Sequence, residues 1–200
     1  MSSLDFLYYL INLLITSAGR LLDLLSTYYI TPNLELETNR IISKLGWKGS
    51  ILLQVPLILL GAFYRPIAIF FLTWSIIVAS SNIAGAWFVR NIPGGDSQYA
   101  ELLKASAKKT NIRNIILDEA PPLILYFAPN CLLWLWIQLE IGNIFDLIAQ
   151  ETFISYILII SGALMLHGIM SFIRNIRYIL RLRSELDEIE EKPASFTTIE

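Results

Sequence analysis

Residues Ile67 to Val89 read IAIFFLTWSIIVASSNIAGAWFV, and no Asp, Glu, Lys or Arg interrupts the chain between Arg65 and Arg90. Wound as a helix at 1.5 Å per residue, this run crosses the roughly 30 Å of hydrocarbon in a bilayer. A soluble core has no use for so long an uncharged block. The composition agrees: 55% of residues are hydrophobic and only 16% charged, against about 25% charged in ordinary soluble domains. The fold class expected is all-α, a polytopic membrane helix bundle of about five transmembrane helices.

Outward from this span toward the amino terminus, Arg65-Pro66 marks a tight turn, because proline disfavours helix in the residue before it. The segment from Gly49 to Tyr64 is short for a crossing and contains Gln54 and Pro56. It reaches crossing length if Leu45, Gly46 and Trp47 extend it, giving a span of 46–64; otherwise it is re-entrant. Before it, Leu34 to Lys48 is polar, and Thr31-Pro32-Asn33 ends a first span of about 4–30. Toward the carboxyl terminus, Arg90 to Arg113 is a polar connection opening on the turn signal Pro93-Gly94-Gly95. Leu102, Ala105, Ile112 and Ile116 in and after it recur at helical spacing, which predicts a basic amphipathic helix on the membrane surface. A fourth span follows at about 118–138 and a fifth at 151–173. Residues 1–173 thus form the bundle, and 174–200 a cytosolic helical extension and loose tail, with Arg181–Glu185 and Arg183–Asp187 as i,i+4 pairs.

Orientation follows from the basic residues. Arg40, Lys44 and Lys48 crowd the first loop, and the second holds only Arg65. Arg90, Lys104, Lys108, Lys109 and Arg113 fill the third, and the fourth has neither Lys nor Arg. The tail carries Arg174, Arg177, Arg181, Arg183 and Lys192. Rich and poor loops alternate under five spans, which places the amino terminus outside and the carboxyl terminus in the cytosol. Four spans would break the alternation. The first charge is Asp5, and no small-residue cleavage site follows the first apolar block, so that helix is expected to remain in the mature protein. The lone Cys131 makes neither a disulfide nor a CxxC pair.

Polar residues at membrane depth are the candidate functional groups. Asn12, Thr16, Arg20, Asp23 and Thr27 recur at intervals of four, four, three and four, one stripe along one face of the first helix. Arg20 and Asp23 are placed to pair. Such a stripe either glues helices together around a self-neutralised pair or lines a working site. Asn82, beside Ser80, Ser81 and Gly85, suits a close helix contact. Asp118 and Glu119, followed by Pro121 and Pro122, suit a helix start, where acids cap free amides. His167 begins a stripe with Ser171 and Asn175, without the HExxH spacing of a zinc site. Asp23, Asn82 and His167 all lie roughly 10 Å from the cytosolic ends of their spans, with Asp118 and Glu119 shallower. A polar pocket, where there is one, belongs to the cytosolic half.

Asp23 to Asn39 reads D-x-x-S-T-x-x-x-T-P-N-L-E-L-E-T-N. It resembles a pattern in a loosely defined group of small, uncharacterised prokaryotic multi-pass membrane proteins. In these an Asp and a Thr end the first helix, and Glu-x-Asn-Pro precedes the second. Asp23, Thr27, Glu37 and Asn39 match, whereas Arg40 replaces the proline. The likeness covers the first third of the chain and implies that these four residues act together, in a protein of a prokaryotic plasma membrane. It implies no activity.

Three functions fit these observations. An accessory or assembly subunit would use the polar stripes to meet protein partners or further copies of itself within the lipid bilayer. A binding or transport protein would take a small solute or cation, because Asp23, Glu37, Asp118 and Glu119 outnumber Arg20. An intramembrane enzyme acting on a lipid would use His167, Asp23 or Glu37 as acid–base groups. Asp23, Glu37, Asn39 and His167 are expected to approach one cytosolic-side pocket, where carboxylates, an amide and an imidazole could hold a divalent cation or a cationic ligand. No nucleic acid partner is expected, and no spacing names a cofactor or metal.

Overall fold

A computed structural model of the chain describes the backbone of residues 3–191 and the side chains of residues 4–184 other than Arg40. The Arg181–Glu185 and Arg183–Asp187 pairs and the tail from Lys192 onward lie outside the described residues. In chain order the helices are α1 (Ser3–Ile30), α2 (Arg40–Phe63), α3 (Arg65–Ala84), α4 (Ala86–Asn91), α5 (Gly95–Lys109) and α6 (Ile112–Asp118). A π-helical turn, Leu123–Phe127, leads into α7 (Ala128–Glu140), followed by α8 (Ile144–Ala149) and α9 (Phe153–Glu191). No strand occurs among the described residues.

Among the described residues, five helical segments are long and apolar enough to cross a membrane: Leu4–Ile30, Ile41–Phe63, Arg65–Asn91, Ile112–Glu140 and Phe153–Ser184. The short second span gains its length at its start. Asn39 caps α2 by accepting the Ile41 amide at 3.0 Å. The helix then breaks at Gly46, whose φ of 65° and ψ of −166° are closed to most side chains. Everything after that break, Pro56 included, continues unbroken to the turn at Tyr64. The third helix starts at Arg65 with Pro66 in its first turn, where the missing amide hydrogen costs little.

The helices pack in two groups. α1 rests on α3 and α2, while α9 collects α3, α5, α8 and the π-turn with α7. α3 is therefore the shared wall. α1 and α2 approach closely because position 61 is glycine, where an added Cβ would stand 2.2 Å from Thr16 Oγ1. The fourth segment is peripheral, its apolar stretch only 6% buried against 39% for the fifth.

Two expectations need correction. Leu102, Ala105, Ile112 and Ile116 do not share one helix, because the chain breaks between α5 and α6. There Thr110 Oγ1 donates to the Ser106 carbonyl, and Asn111 starts a new helix by accepting the Arg113 amide. α5 packs on α9, and its buried residues include Ala100 and Ala107. Asp118 does not begin a helix either; it ends α6, and Glu119 follows as its last cap. Pro121 and Pro122 do occupy a first turn, so the start signal belongs to them and not to the acids.

Candidate functional site

The stripe on α1 faces inward along its whole length and changes character halfway. Asn12 and Thr16 are fully buried. Asn12 donates to the Ala62 carbonyl at 3.4 Å and accepts from Arg65 Nε at 3.4 Å. Thr16 folds back onto the Asn12 carbonyl at 2.9 Å. This part of the stripe is packed solid and holds three helices together.

One turn further, Arg20 is the centre of a buried network. Its Nη2 donates to Asp23 Oδ2 at 2.5 Å, its Nε to Gln54 Oε1 at 2.6 Å, and its Nη1 to Ser75 Oγ at 3.1 Å. Gln54 in turn donates to the Ser50 carbonyl at 3.0 Å. A charge that has left water needs its counter-charge and its remaining donors satisfied. Here the partners come from α1, α2 and α3 together. Beyond Asp23, Asn82 reaches from α3 to donate to both Ser26 Oγ and Thr27 Oγ1, each at 3.1 Å.

The link between α1 and α2 folds over the end of this network. Asp96 accepts from Thr31 Oγ1 at 2.9 Å and from the Asn33 amide and side chain at 3.2 and 3.1 Å. Thr31 Oγ1 accepts the Leu36 amide. Glu37 accepts the Asn39 amide at 2.6 Å, so the Glu-x-Asn element is first of all a capping turn for α2. Burial pushes the Glu37 carboxyl above its ordinary 4.5; the Asn39 amide and the Arg174 charge pull it partway back.

Between α1, this link, α2, α3 and α9 lies a cavity of about 1010 Å³. Arg20, Asp23, Thr27, Glu37, Asn39 and Asn82 all line it. Of the four residues expected to meet in one pocket, Asp23, Glu37 and Asn39 line this cavity and His167 does not. Asp118, Glu119 and His167 stand apart from the wall. Asp118 is exposed, and Glu119 accepts a hydrogen bond from Asn175 at 2.7 Å. His167 is buried edge-on to the rings of Trp74 and Tyr126, 5.6 and 5.5 Å away. Trp74 is the cavity wall there, and α9 contributes Met170, Ser171 and Asn175 instead. His167 thus packs against aromatic rings outside the cavity that Asp23 and Glu37 line. No group of three or more His, Cys, Asp and Glu side chains is placed to hold a metal among the described residues.

The charge of the site is also the reverse of the expected one. Arg174, Arg177 and Arg181 from α9 join Arg20, so among the described residues four arginines and two carboxylates line the cavity. No family model, curated protein or solved structure matches this chain. The site's own geometry carries the reading. Sequence reasoning assigned the three α9 arginines to an extension below the membrane, although their spacing of three and four, with Tyr178 among them, already placed them on one helical face. Gln54, Ser75 and Asp96 carried no local signal; only the tertiary fold makes them partners.

Proposed function

We propose that this protein is a polytopic membrane protein, amino terminus outside and carboxyl terminus in the cytosol, whose cavity at the cytosolic end binds a small anionic ligand. The observation that carries the reading is the excess of arginines lining the cavity. Asp23 is engaged by Arg20, which leaves Glu37 as the other carboxylate among the described lining residues, beside the exposed Arg174 and Arg177. Guanidinium groups gathered in a partly desolvated cleft favour anions, and bind planar or tetrahedral oxyanions through paired hydrogen bonds. The orientation rests on the alternation of basic loops. The likeness of Asp23, Thr27, Glu37 and Asn39 to the prokaryotic pattern supports a prokaryotic plasma membrane and a shared role for these residues.

The test needs no knowledge of the ligand. Trp47 and Trp74 both line the cavity. In a background with Trp87, Trp134 and Trp136 changed to Phe, and with each ion scaled to its quenching of free tryptophan amide, iodide should quench their emission at least about twofold more effectively than caesium. Lowering the pH should strengthen iodide quenching, because the raised Glu37 carboxyl takes up its proton early and removes a negative charge. Glu37→Gln should flatten that dependence. Equal quenching by the two ions, or a preference for caesium, would defeat the anion reading.

A second reading has its own observation. The fourth segment is only 6% buried, which leaves a long apolar flank for an assembly partner. Crosslinking within native membranes would reveal a partner on α7 if that reading holds.

A further inference from the structure

The cavity is large for a bare oxyanion. At about 1010 Å³ it has the size of a site for an organic molecule. Its walls also offer more than positive charge. Along α9 exposure falls from Arg174 and Arg177, both exposed, through the half-buried Ser171 to the buried His167. The arginines therefore stand toward the open end, and Ser171 lies about one turn deeper. The rest of the polar wall is mostly neutral: Thr38 and Asn39 from the link between α1 and α2, Asn82 from α3, and Asn175 from α9.

Several of these groups are unspent. Among the described residues Arg174 and Arg177 make no hydrogen bond or ion pair, and the hydroxyls of Thr38 and Ser171 make no hydrogen bond. Asn82 gives its amide nitrogen to Ser26 and Thr27, and Asn175 gives its own to Glu119. Neither amide oxygen receives a donor among the described residues. Glu37 accepts the Asn39 amide on Oε1, and its Oε2 has no such partner there. An inorganic oxyanion suits the arginines but has at most one or two protons to offer these three acceptors. A ligand that displaces their water must replace its hydrogen bonds or lose affinity. It needs donors of its own, set apart from one another, because the acceptors sit on the link, on α3 and on α9. An ammonium gathers acceptors around a single point. A row of hydroxyls serves acceptors that are spread, and pairs with Thr38 and Ser171 as well.

We infer that the ligand is a hydroxylated organic anion of the sugar-phosphate or sugar-acid class, with its charged end on Arg174 and Arg177 and its hydroxyls on Glu37, Asn82, Asn175, Thr38 and Ser171. This rests on the anion-binding reading above and narrows it. Guanidinium forks match phosphate or carboxylate oxygens two at a time. The neutral wall then discriminates by hydroxyl, since each acceptor left unpaired by the wrong ligand costs affinity.

The experiment titrates the full chain in mild detergent, following Trp47 and Trp74 in the same three-Phe background. The hydroxylated anions are glucose 6-phosphate, ribose 5-phosphate and gluconate; the comparison probes are inorganic phosphate, glucose and glutamate. The best of the first three should give a saturable change at a concentration at least about tenfold below that of any comparison probe. Thr38→Val/Ser171→Ala should raise that concentration about threefold or more and leave the response to inorganic phosphate where it was. The unfolding temperature should not move, since neither hydroxyl is hydrogen-bonded among the described residues; Ser171→Ala alone serves if the pair fails to fold. Inorganic phosphate acting as well as the hydroxylated anions would overturn the inference while leaving the anion reading intact. Glucose acting as well would make the charge irrelevant, and glutamate acting as well would make this a site for zwitterions; either overturns it. So would a double variant that responds like the parent. No response to any probe, with iodide still preferred over caesium, overturns the hydroxylated ligand alone. A lost iodide preference removes both readings.

Discussion

Arg20 is held by partners on three helices, and its removal should be felt by all of them. Arg20→Leu strands Asp23, Gln54 and Ser75 at once, and Asp23→Leu strands the guanidinium. With the two side chains only 9% and 17% exposed, each single change should cost on the order of 3–5 kcal/mol. Together they should cost about 1–3 kcal/mol less than their sum, because neither charge is then left alone. Reversible unfolding in detergent measures this. A double variant as unstable as the two singles added would mean that the pair contributes nothing. The Arg20–Asp23 pairing was legible from its spacing of three, since helical geometry is local. Gln54 and Ser75 were not, because nothing in a single sequence registers which turn of α2 or α3 comes opposite.

At the scale of elements, the contact of α1 with α2 depends on a missing side chain. Gly61→Ala would drive a Cβ to 2.2 Å from Thr16 Oγ1, and Thr16 is branched and fully buried, so it has no room to swing aside. The expected loss is roughly 1–3 kcal/mol. Gly85→Ala meets open space and should stay within about 0.5 kcal/mol of the parent. Equal effects of the two changes would show that the helices are not in close contact at position 61. The long apolar runs were easy to read because span length is a property of the run itself. The α5–α6 break was hidden by a stripe that happened to keep its register across Thr110 and Asn111. The continuation of the fifth helix past Ile173 was expected and is found, but that Arg174 and Arg177 line the cavity was not, because nothing local registers which face of that extension turns inward.

For the whole molecule, the proposed orientation makes opposite predictions for two exposed positions. In a Cys131→Ala background, Glu140→Cys at the end of α7 should react with an impermeant thiol reagent applied outside, and Ser97→Cys in α5 should not. Glu140 is preferable to Gly142, whose φ of 118° a side chain would strain. Equal or reversed labelling would break the five-span arrangement. The Arg20 network also bears on how the chain is made. In the proposed membrane arrangement the spans would enter in order, so α1 would meet lipid before Gln54 and Ser75 exist to receive its guanidinium. A lone arginine at mid-membrane costs about 2.5–3.5 kcal/mol on insertion. Asp23, less than one turn away, travels with it. On that arrangement the first helix would carry its own counter-ion into the bilayer, and the two later partners, arriving with α2 and α3, would convert a transient local neutralisation into a permanent joint between three helices.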